Sequence, residues 1–513
     1  MIGRLGRRGF LGGTVALSTT ALWPSRPIRA AMAMGFDEAR HLLSRATFGA
    51  TPAEIRTMEA LDYARAIDRL LGASRAHALT SAPGWINERP TELREAQKAA
   101  NAKKGVDGKP LNPAARPVQE QARELRNWWV EEMLVTDQPL VERMTLFWHN
   151  HFTSSLEKVR YAPAMYRQNE LFRREAFGNF GRLLKAVAAD PAMLIYLDGV
   201  RSVARQPNEN FARELLELFT LGEGHYTEAD IKNAARAFTG WSIDRDTGLF
   251  RTYEQAHDHG EKTFLGHSGN FTGDEIVEIL LKQPRTAELV VEKLWREFVS
   301  LRPDPAEIKR LAAILRNGDY EMKPVLRALF LSPAFREPSN RGALIKSPVD
   351  LVVGSVHLLG LPVPEKTQLV RMLAGLGQVP FNPPNVKGWA GGEKWITTYT
   401  LLLRQQFLRR MVEATTVSSM DGNMASMRAD RRAERKERAP DVSMETMESR
   451  PIEGRSLRSA GMAARLGPTL TGVDGAELAR VLLPRQPIDA IDTGASPGAV
   501  VAAALLDPAY QLK

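Results

Sequence analysis

Apolar residues recur along most of the chain, from residue 36 onward, with the spacing of an amphipathic α-helix. FDEARHLLSRA, YARAIDRLLGA, VERMTLFWHNHF and NENFARELLELFTLG each place apolar side chains on one helical face. Thr51 with Pro52, and separately Asn208, have the composition of helix starts. The pattern therefore predicts a mainly α fold, a multi-helical globular bundle.

Three segments depart from this helical period. Residues 98–118 are small, polar and rich in Pro and Gly, which predicts a mobile insert. Residues 248–266 have Gly at both ends and short aromatic or β-branched runs, which predicts a small β-hairpin or an irregular loop. Residues 415–466 have low complexity, and we expect a disordered insertion there. One helical domain would then cover 34–414, completed by helices in 467–513.

Residues 1–33 have the layout of an export signal. They contain five arginines and no acidic residue, with a twin arginine at Arg7–Arg8, an apolar run from Gly9 to Trp23 and small residues at 31–33. The paired arginines favour the twin-arginine route, and a basic N-terminus on a cytoplasmic protein is the alternative. We therefore expect a periplasmic or secreted protein.

Composition narrows the classes of partner and chemistry. The formal net charge of the chain is +9. Removal of the signal and its arginines leaves a protein that is only mildly basic, so we expect no nucleic-acid partner. No later stretch holds about 18 consecutive apolar residues, so we expect no integral membrane span. The chain has no cysteine, which excludes disulfides, thiolate nucleophiles, iron–sulfur clusters and zinc–thiolate sites.

Histidines suggest a divalent metal as cofactor. On a regular helix His149 and His151 point about 160° apart, so they could share an ion only if the helix ended near Asn150. His149 is then the better placed to reach a cleft, and a core histidine explains His151 equally well. In HDHG, His257 and Asp258 combine imidazole with carboxylate, as Zn, Mn and non-haem Fe sites do. An ordinary surface loop is the alternative there.

The helix at 208–222 carries a row of charged residues opposite its apolar face. Glu209, Arg213 and Glu217 are spaced at i, i+4 and i+8, with Glu214 beside them. This row is either a solvated face joined by weak ion pairs or the lining of a cleft. In the loop PNVKGWAGG, Trp389 is either the anchor of a binding loop or part of a tight backbone crossing.

Several of these segments together resemble the DUF1800 family of exported bacterial proteins of unknown function. They are FDEARHLLSRATFGATPAEI, FWHNHF, NENFARELLELFTLGEGHYTEADIKNAARAFTGW, HDHGEKTFLG and PPNVKGWAGGEKWI, and the resemblance covers about 36–414 and the tail. It implies a mainly α-helical fold. The family's H-D-x-G-x-K pattern matches His257, Asp258, Gly260 and Lys262, and its other motifs include His149, His151, Glu209, Arg213 and Glu214.

Two hypotheses for function follow, and both require the three polar segments to meet in one pocket. The first is a metal-dependent or acid–base enzyme, a hydrolase or oxidoreductase. Its catalytic residues would be Glu209, Arg213, Glu214 and Lys262, and its metal ligands His149, His151, His257 and Asp258. The second is a non-catalytic binding or assembly protein. The resemblance implies its partner, a secreted protein of the DUF1501 type, which is similar to sulfatases and alkaline phosphatases.

Overall fold

The computed structural model describes residues 33–72, 75–102, 117–361, 364–417 and 469–513. The expected export signal, apart from its last residue, therefore lies outside the described residues, as does most of the expected insertion at 415–466. Helices dominate the described chain, and its strands form only two small antiparallel sheets. The prediction of a mainly α fold is confirmed.

The N-terminal part of the chain is a succession of helices, one of which begins at a complete capping box. Thr51 accepts from the backbone N–H of Glu54, whose carboxylate accepts from the backbone N–H of Thr51, so the predicted helix start is confirmed. The helices are α1 Phe36–Ala46, α2 Pro52–Glu59, α3 Tyr63–Gly72, α4 Pro90–Ala102, α5 Pro117–Val135, α6 Pro139–His151, α7 Leu156–Val159, α8 Ala162–Arg174, α9 Phe180–Ala188 and α10 Pro191–Tyr196.

The middle part contains both small sheets. Helix α11 Glu209–Glu214 is capped by Asn208, as predicted, and continues without a break into a π-helical turn, Leu215–Thr220. Helix α12 Glu228–Ala237 follows. Strand β1 Trp241–Ile243 pairs with β2 Phe250–Thr252, and β3 Lys262–Phe264 pairs with β4 His267–Gly269.

The C-terminal part returns to helices. They are α13 Gly273–Lys282, α14 Pro284–Phe298, α15 Pro305–Asn317, α16 Met322–Phe330, α17 Pro333–Arg336, α18 Pro348–Leu359, α19 Lys366–Gly375, α20 Thr398–Val417, α21 Gly475–Leu482 and α22 Pro497–Leu506. Helices α20 and α21 both pack against α22, so the segment after residue 468 is part of the same core. Within the described residues, no helix is long and apolar enough to cross a bilayer.

Two boundaries differ from the sequence-based expectations. Residues 248–266 do not form one hairpin, because β2 pairs backward with β1 and β3 pairs forward with β4. The expected mobile insert is shorter than 98–118, since α4 extends through Ala102 and α5 begins at Pro117. The rest of that segment lies outside the described residues.

Helix α6 lies in the centre of the core and presents the FWHNHF segment to it. Nearly every residue of α6 is buried, as expected for a helix surrounded by others. Around its C-terminal end the rings of Trp148, Phe152, Phe180 and Phe219 pack with ring centroids about 5–6 Å apart. These contacts hold α6 against α9 and the π-helical turn, and so determine where its last residues point.

Candidate functional site

A cavity of about 230 Å³ opens beside the C-terminal end of α6, bounded by α14 and by the loop 379–396. Its lining is strongly cationic. The charged residues that line it are Arg143, Lys293, Arg296, Lys387, Lys513 and Glu297. Excess charge of one sign in a cleft attracts ligands of the opposite sign.

Three of these cations are already paired with carboxylates. Arg143 Nη1 and Lys513 Nζ each lie 2.6 Å from the Asp350 carboxylate, and Lys387 Nζ lies 3.4 Å from Glu217 and 3.2 Å from Glu223. Burial alone would raise the pKa of Asp350. Arg143 and Lys513 outweigh that effect and hold the pKa well below its ordinary value.

The other two cations, Lys293 and Arg296, lie one turn apart on α14. In the part of the chain that the structure describes, neither forms an ion pair with a carboxylate. Burial, followed by repulsion from Arg296, lowers the pKa of Lys293 to about 7. The cavity therefore contains positive charge that the protein itself leaves uncompensated.

The amine of Lys293 has two close partners from separate elements. Its Nζ donates to the backbone carbonyl of Leu218 at 2.7 Å and lies 3.0 Å from Nδ1 of His151. Leu218 belongs to the π-helical turn and is among the last residues of its helix, whose carbonyls have no intrahelical donor. Burial and the neighbouring Lys293 push the pKa of His151 well below its ordinary value.

A π-helical turn positions the carbonyl of Leu218 that Lys293 contacts. The backbone N–H of Leu221 bonds to the carbonyl of Leu216 at 2.8 Å, and the hydroxyl of Thr220 donates to the carbonyl of Leu215 at 2.6 Å. Such i to i−5 turns inside helices are frequent at functional sites. A regular helix was expected here, because the apolar period alone does not reveal a π-helical turn.

The loop 379–396 forms the opposite wall through a close backbone crossing. The backbone N–H of Trp389 donates to Asn150 Oδ1 at 2.7 Å. Gly388 has φ +78°, and a Cβ there would overlap Asn150. The tight backbone crossing is thus present and places Trp389 against the cavity, while its function as the anchor of a binding loop stays a prediction.

Besides two nitrogens of Arg143, two buried nitrogens of the cavity lining have no hydrogen-bond partner among the described residues. They are Nε1 of Trp389 and Nε2 of His151. Buried polar atoms in native proteins are almost always paired, so each such atom needs a physical explanation. These atoms expose almost no surface, so a ligand in the cavity would reach them only after the surrounding side chains move.

His149 does not line the cavity, although its helical position predicted the better access. Its ring lies among aromatic rings, with centroid distances of 5.4 Å to Trp129, 5.5 Å to Phe381 and 5.7 Å to Trp389. Burial lowers the pKa of His149 to about 3. The imidazole that reaches the cavity is His151, because α6 continues as a regular helix through that residue.

The charged row on α11 has two different environments. Arg213 forms a bidentate pair with Glu228 at 2.8 Å and lies 3.6 Å from Glu209, on a solvated surface. Glu214 is half-buried, and burial together with repulsion from Glu217 raises its pKa. Glu217 reaches the cavity rim through Lys387, whereas Glu209 and Arg213 form the solvated face that was the alternative interpretation.

The loop around HDHG is held by its own hydrogen bonds. Asp258 accepts from Arg236 at 2.7 and 3.1 Å, and His257 Nδ1 lies 2.9 Å from the carbonyl of Thr239. Lys262 is buried, and its Nζ donates to the carbonyls of Asp258 and Gly260 and to Asn270. None of these residues lines the cationic cavity.

The three polar segments therefore meet only in part. Lys293 joins the end of α6 to the π-helical turn, while the HDHG loop lies elsewhere, against α12. In the described chain, no group of three or more His, Asp or Glu side chains is arranged to hold a metal ion. The predicted ligands His149, His151, His257 and Asp258 are thus spread over separate environments, and the structure offers no support for the predicted metal.

Sequence reasoning missed the residue at the centre of the cavity. Lys293 occurs in a helix with an ordinary amphipathic pattern, VVEKLWREF, so only its neighbours in space reveal it. Arg143, Asp350 and Lys513 are likewise far apart along the chain, and no local motif connects them. Among the segments that line the cavity, the loop that carries Trp389 was the one that the sequence had indicated through its glycines.

Comparison with known proteins gives one match. The family model DUF1800, described as a protein of unknown function, matches residues 41–512. No curated protein and no solved structure is similar enough to match the chain.

Proposed function

Since the chain belongs to the DUF1800 family, whose description assigns no activity, we propose a function from the cavity itself. The protein is an exported binding protein or enzyme that takes a small anion into this cavity. Lys293 acts there as the acid–base group. The twin-arginine segment at 1–33 supports export, and the cavity supports the anion.

The observation that carries the proposal is the uncompensated charge of Lys293 and Arg296. Lys293 is desolvated, and its two acceptors leave the third N–H of its ammonium form without a partner among the described residues. Arg296 lines the same cavity and is exposed to solvent, so it adds attraction for an anion rather than a desolvated charge. The described residues bring no carboxylate to either group, although four other charged residues line the cavity. A bound carboxylate, phosphate or sulfate would compensate the charge and would accept from the Lys293 ammonium and from Arg296.

The position of Lys293 also suits proton transfer. With a pKa of about 7, both the amine and the ammonium are populated near neutral pH, which is the condition for an efficient general acid or base. His151 beside it offers a route for the proton. This form of the enzyme hypothesis needs no metal.

Titration of the mature protein with inorganic phosphate and with oxalate tests the proposal. Tryptophan fluorescence reports binding, because Trp389 and Trp395 line the cavity. We expect saturable binding that weakens with ionic strength. Lys293→Met should weaken it by about tenfold or more, equivalent to ~1.4 kcal/mol, while Lys232→Met, on the exposed face of α12, should not.

Equal affinity in wild type and Lys293→Met, with both folded by circular dichroism, would contradict the proposal. Absence of saturable binding to either anion in the wild type would do so as well. Binding without any turnover would favour the non-catalytic hypothesis, in which a DUF1501-type protein is the partner.

A further inference from the structure

The nitrogen of Lys293 has an unusual set of neighbours for a lysine. In the chain that the structure describes, its hydrogen-bond partners are the carbonyl of Leu218 and the imidazole of His151, at 2.7 and 3.0 Å. The carbonyl of Leu218 accepts a hydrogen bond from the amine. Nδ1 of His151 also accepts one when the imidazole carries its proton on Nε2. Most lysines instead hold a carboxylate or extend into water.

Two acceptors match the two hydrogens of a neutral amine. A tetrahedral nitrogen that donates both of them keeps its lone pair in a third direction, away from Leu218 and His151. The Lys293 side chain lines the cavity, so a ligand bound there would be the group to meet that lone pair. A lysine that is desolvated next to another cation is a common form of activated amine nucleophile.

We propose that Lys293 forms a Schiff base with a small anionic carbonyl compound, of the 2-oxo acid class. This inference rests on the proposed anion binding, which brings the carboxylate of the compound to Arg296 in the lining of the same cavity. With the carboxylate held there, the adjacent carbonyl carbon is the atom presented to Lys293. A cavity of about 230 Å³ accommodates a molecule of a few heavy atoms.

The reaction balances without an external oxidant or reductant. The nitrogen lone pair attacks the carbonyl carbon, the C–O π bond breaks, and a carbinolamine forms. His151 relays a proton from nitrogen to oxygen. The C–O single bond then breaks as the C=N bond forms, and both amine hydrogens leave with the oxygen as water. Arg296 favours the neutral amine before the attack, because it opposes a second positive charge nearby.

Reductive trapping tests this step on the mature protein. Incubation with pyruvate and sodium cyanoborohydride converts an imine into a stable secondary amine, which intact mass and peptide mapping detect. We expect one adduct per chain, located at Lys293, formed at least tenfold faster than at any other lysine. Excess phosphate should suppress it by competition, and omission of either reagent should abolish it.

Two variants complete the design. Lys293→Arg keeps the charge but cannot form an imine, and we expect no adduct in its α14 peptide. Lys232→Arg is the matched control and should be labelled at Lys293 as in the wild type. Peptide mapping of the wild type keeps the test decisive even if Lys293→Arg fails to fold.

Failure of this inference can be separated from failure of the proposed function. Phosphate binding that depends on Lys293, with no adduct at that residue, overturns the Schiff base and leaves the anion site standing. Adducts spread evenly over exposed lysines also overturn it. Loss of both phosphate binding and labelling overturns both proposals.

Discussion

His149 and His151 show how two identical side chains, two positions apart, acquire different environments. The regular helix turns them to different sides of α6, so that His149 enters an aromatic enclosure and His151 reaches Lys293. The sequence correctly predicted that both could not face one ion on a regular helix. It favoured His149 as the one that reaches a cleft, whereas His151 lines the cavity in the structure, because the enclosing Phe381 and Trp389 come from a loop far along the chain.

The enclosure of His149 predicts a specific acid sensitivity. Its folded pKa of about 3 lies below the ordinary 6.5, so the unfolded state binds more protons between these values and stability falls as pH drops below about 6.5. We expect the free energy of unfolding of His149→Phe to fall with decreasing pH less steeply than that of the wild type, by up to about 1.4 kcal/mol per pH unit. Urea unfolding followed from pH 7 to pH 4 measures it.

Exposed His267 provides the control for that experiment, since His267→Phe should leave the slope unchanged. His41 and His151 keep lowered pKa values in the variant, so part of the slope remains. A His149→Phe protein whose unfolding free energy declines as steeply as in the wild type would contradict the assigned environment.

At the scale of elements, local chemistry predicted helices well and turns poorly. Thr51 and Asn208 cap the helices that they were expected to cap, because capping depends only on neighbouring residues. For residues 248–266 we expected a small β-hairpin or an irregular loop, and the strands Phe250–Thr252 and Lys262–Phe264 lie within that segment. Each pairs instead with a segment just outside the predicted range, and such pairing depends on turn geometry that the composition does not specify.

Substitution of Lys262, which anchors the loop before β3, tests whether this residue is structural or catalytic. Lys262→Met would leave the carbonyls of Asp258 and Gly260 without their donor, at a cost of about 1–3 kcal/mol. We expect faster amide hydrogen exchange in 254–264, measured by mass spectrometry, with phosphate affinity at the cavity unchanged.

Lys282→Met, on the exposed end of α13, is the matched control and should leave exchange in 254–264 as in the wild type. If Lys262→Met also left exchange there unchanged, the anchoring function inferred from its three hydrogen bonds would be wrong.

At the scale of the whole molecule, buried charges connect regions that are far apart in sequence. Asp350 on α18 binds Arg143 on α6 and Lys513, and the backbone of Lys513 pairs with Leu344. Periodicity identified the helix that carries Arg143. It could not identify the pairing, because each partner alone has the sequence context of an ordinary charged position.

Asp350→Asn tests how much this network stabilises the fold. The substitution keeps the shape but leaves Arg143 and Lys513 as buried cations with reduced compensation, a change that costs about 3–5 kcal/mol in comparable buried pairs. A decrease in the urea midpoint without a change in slope is expected. Glu297→Gln, at a half-exposed position, should cost much less, and equal costs for the two would contradict the assignment.

The walls of the cavity also determine when the protein becomes able to bind. His151 and Lys513 both line the cavity and are separated by most of the polypeptide. A chain that is still being synthesised therefore lacks part of the cavity wall until both residues have been added. The cavity is therefore complete only after residues as distant as His151 and Lys513 have both been made and folded. If the proposed twin-arginine signal exports the folded chain, an anion bound in the cytoplasm would travel outward with it.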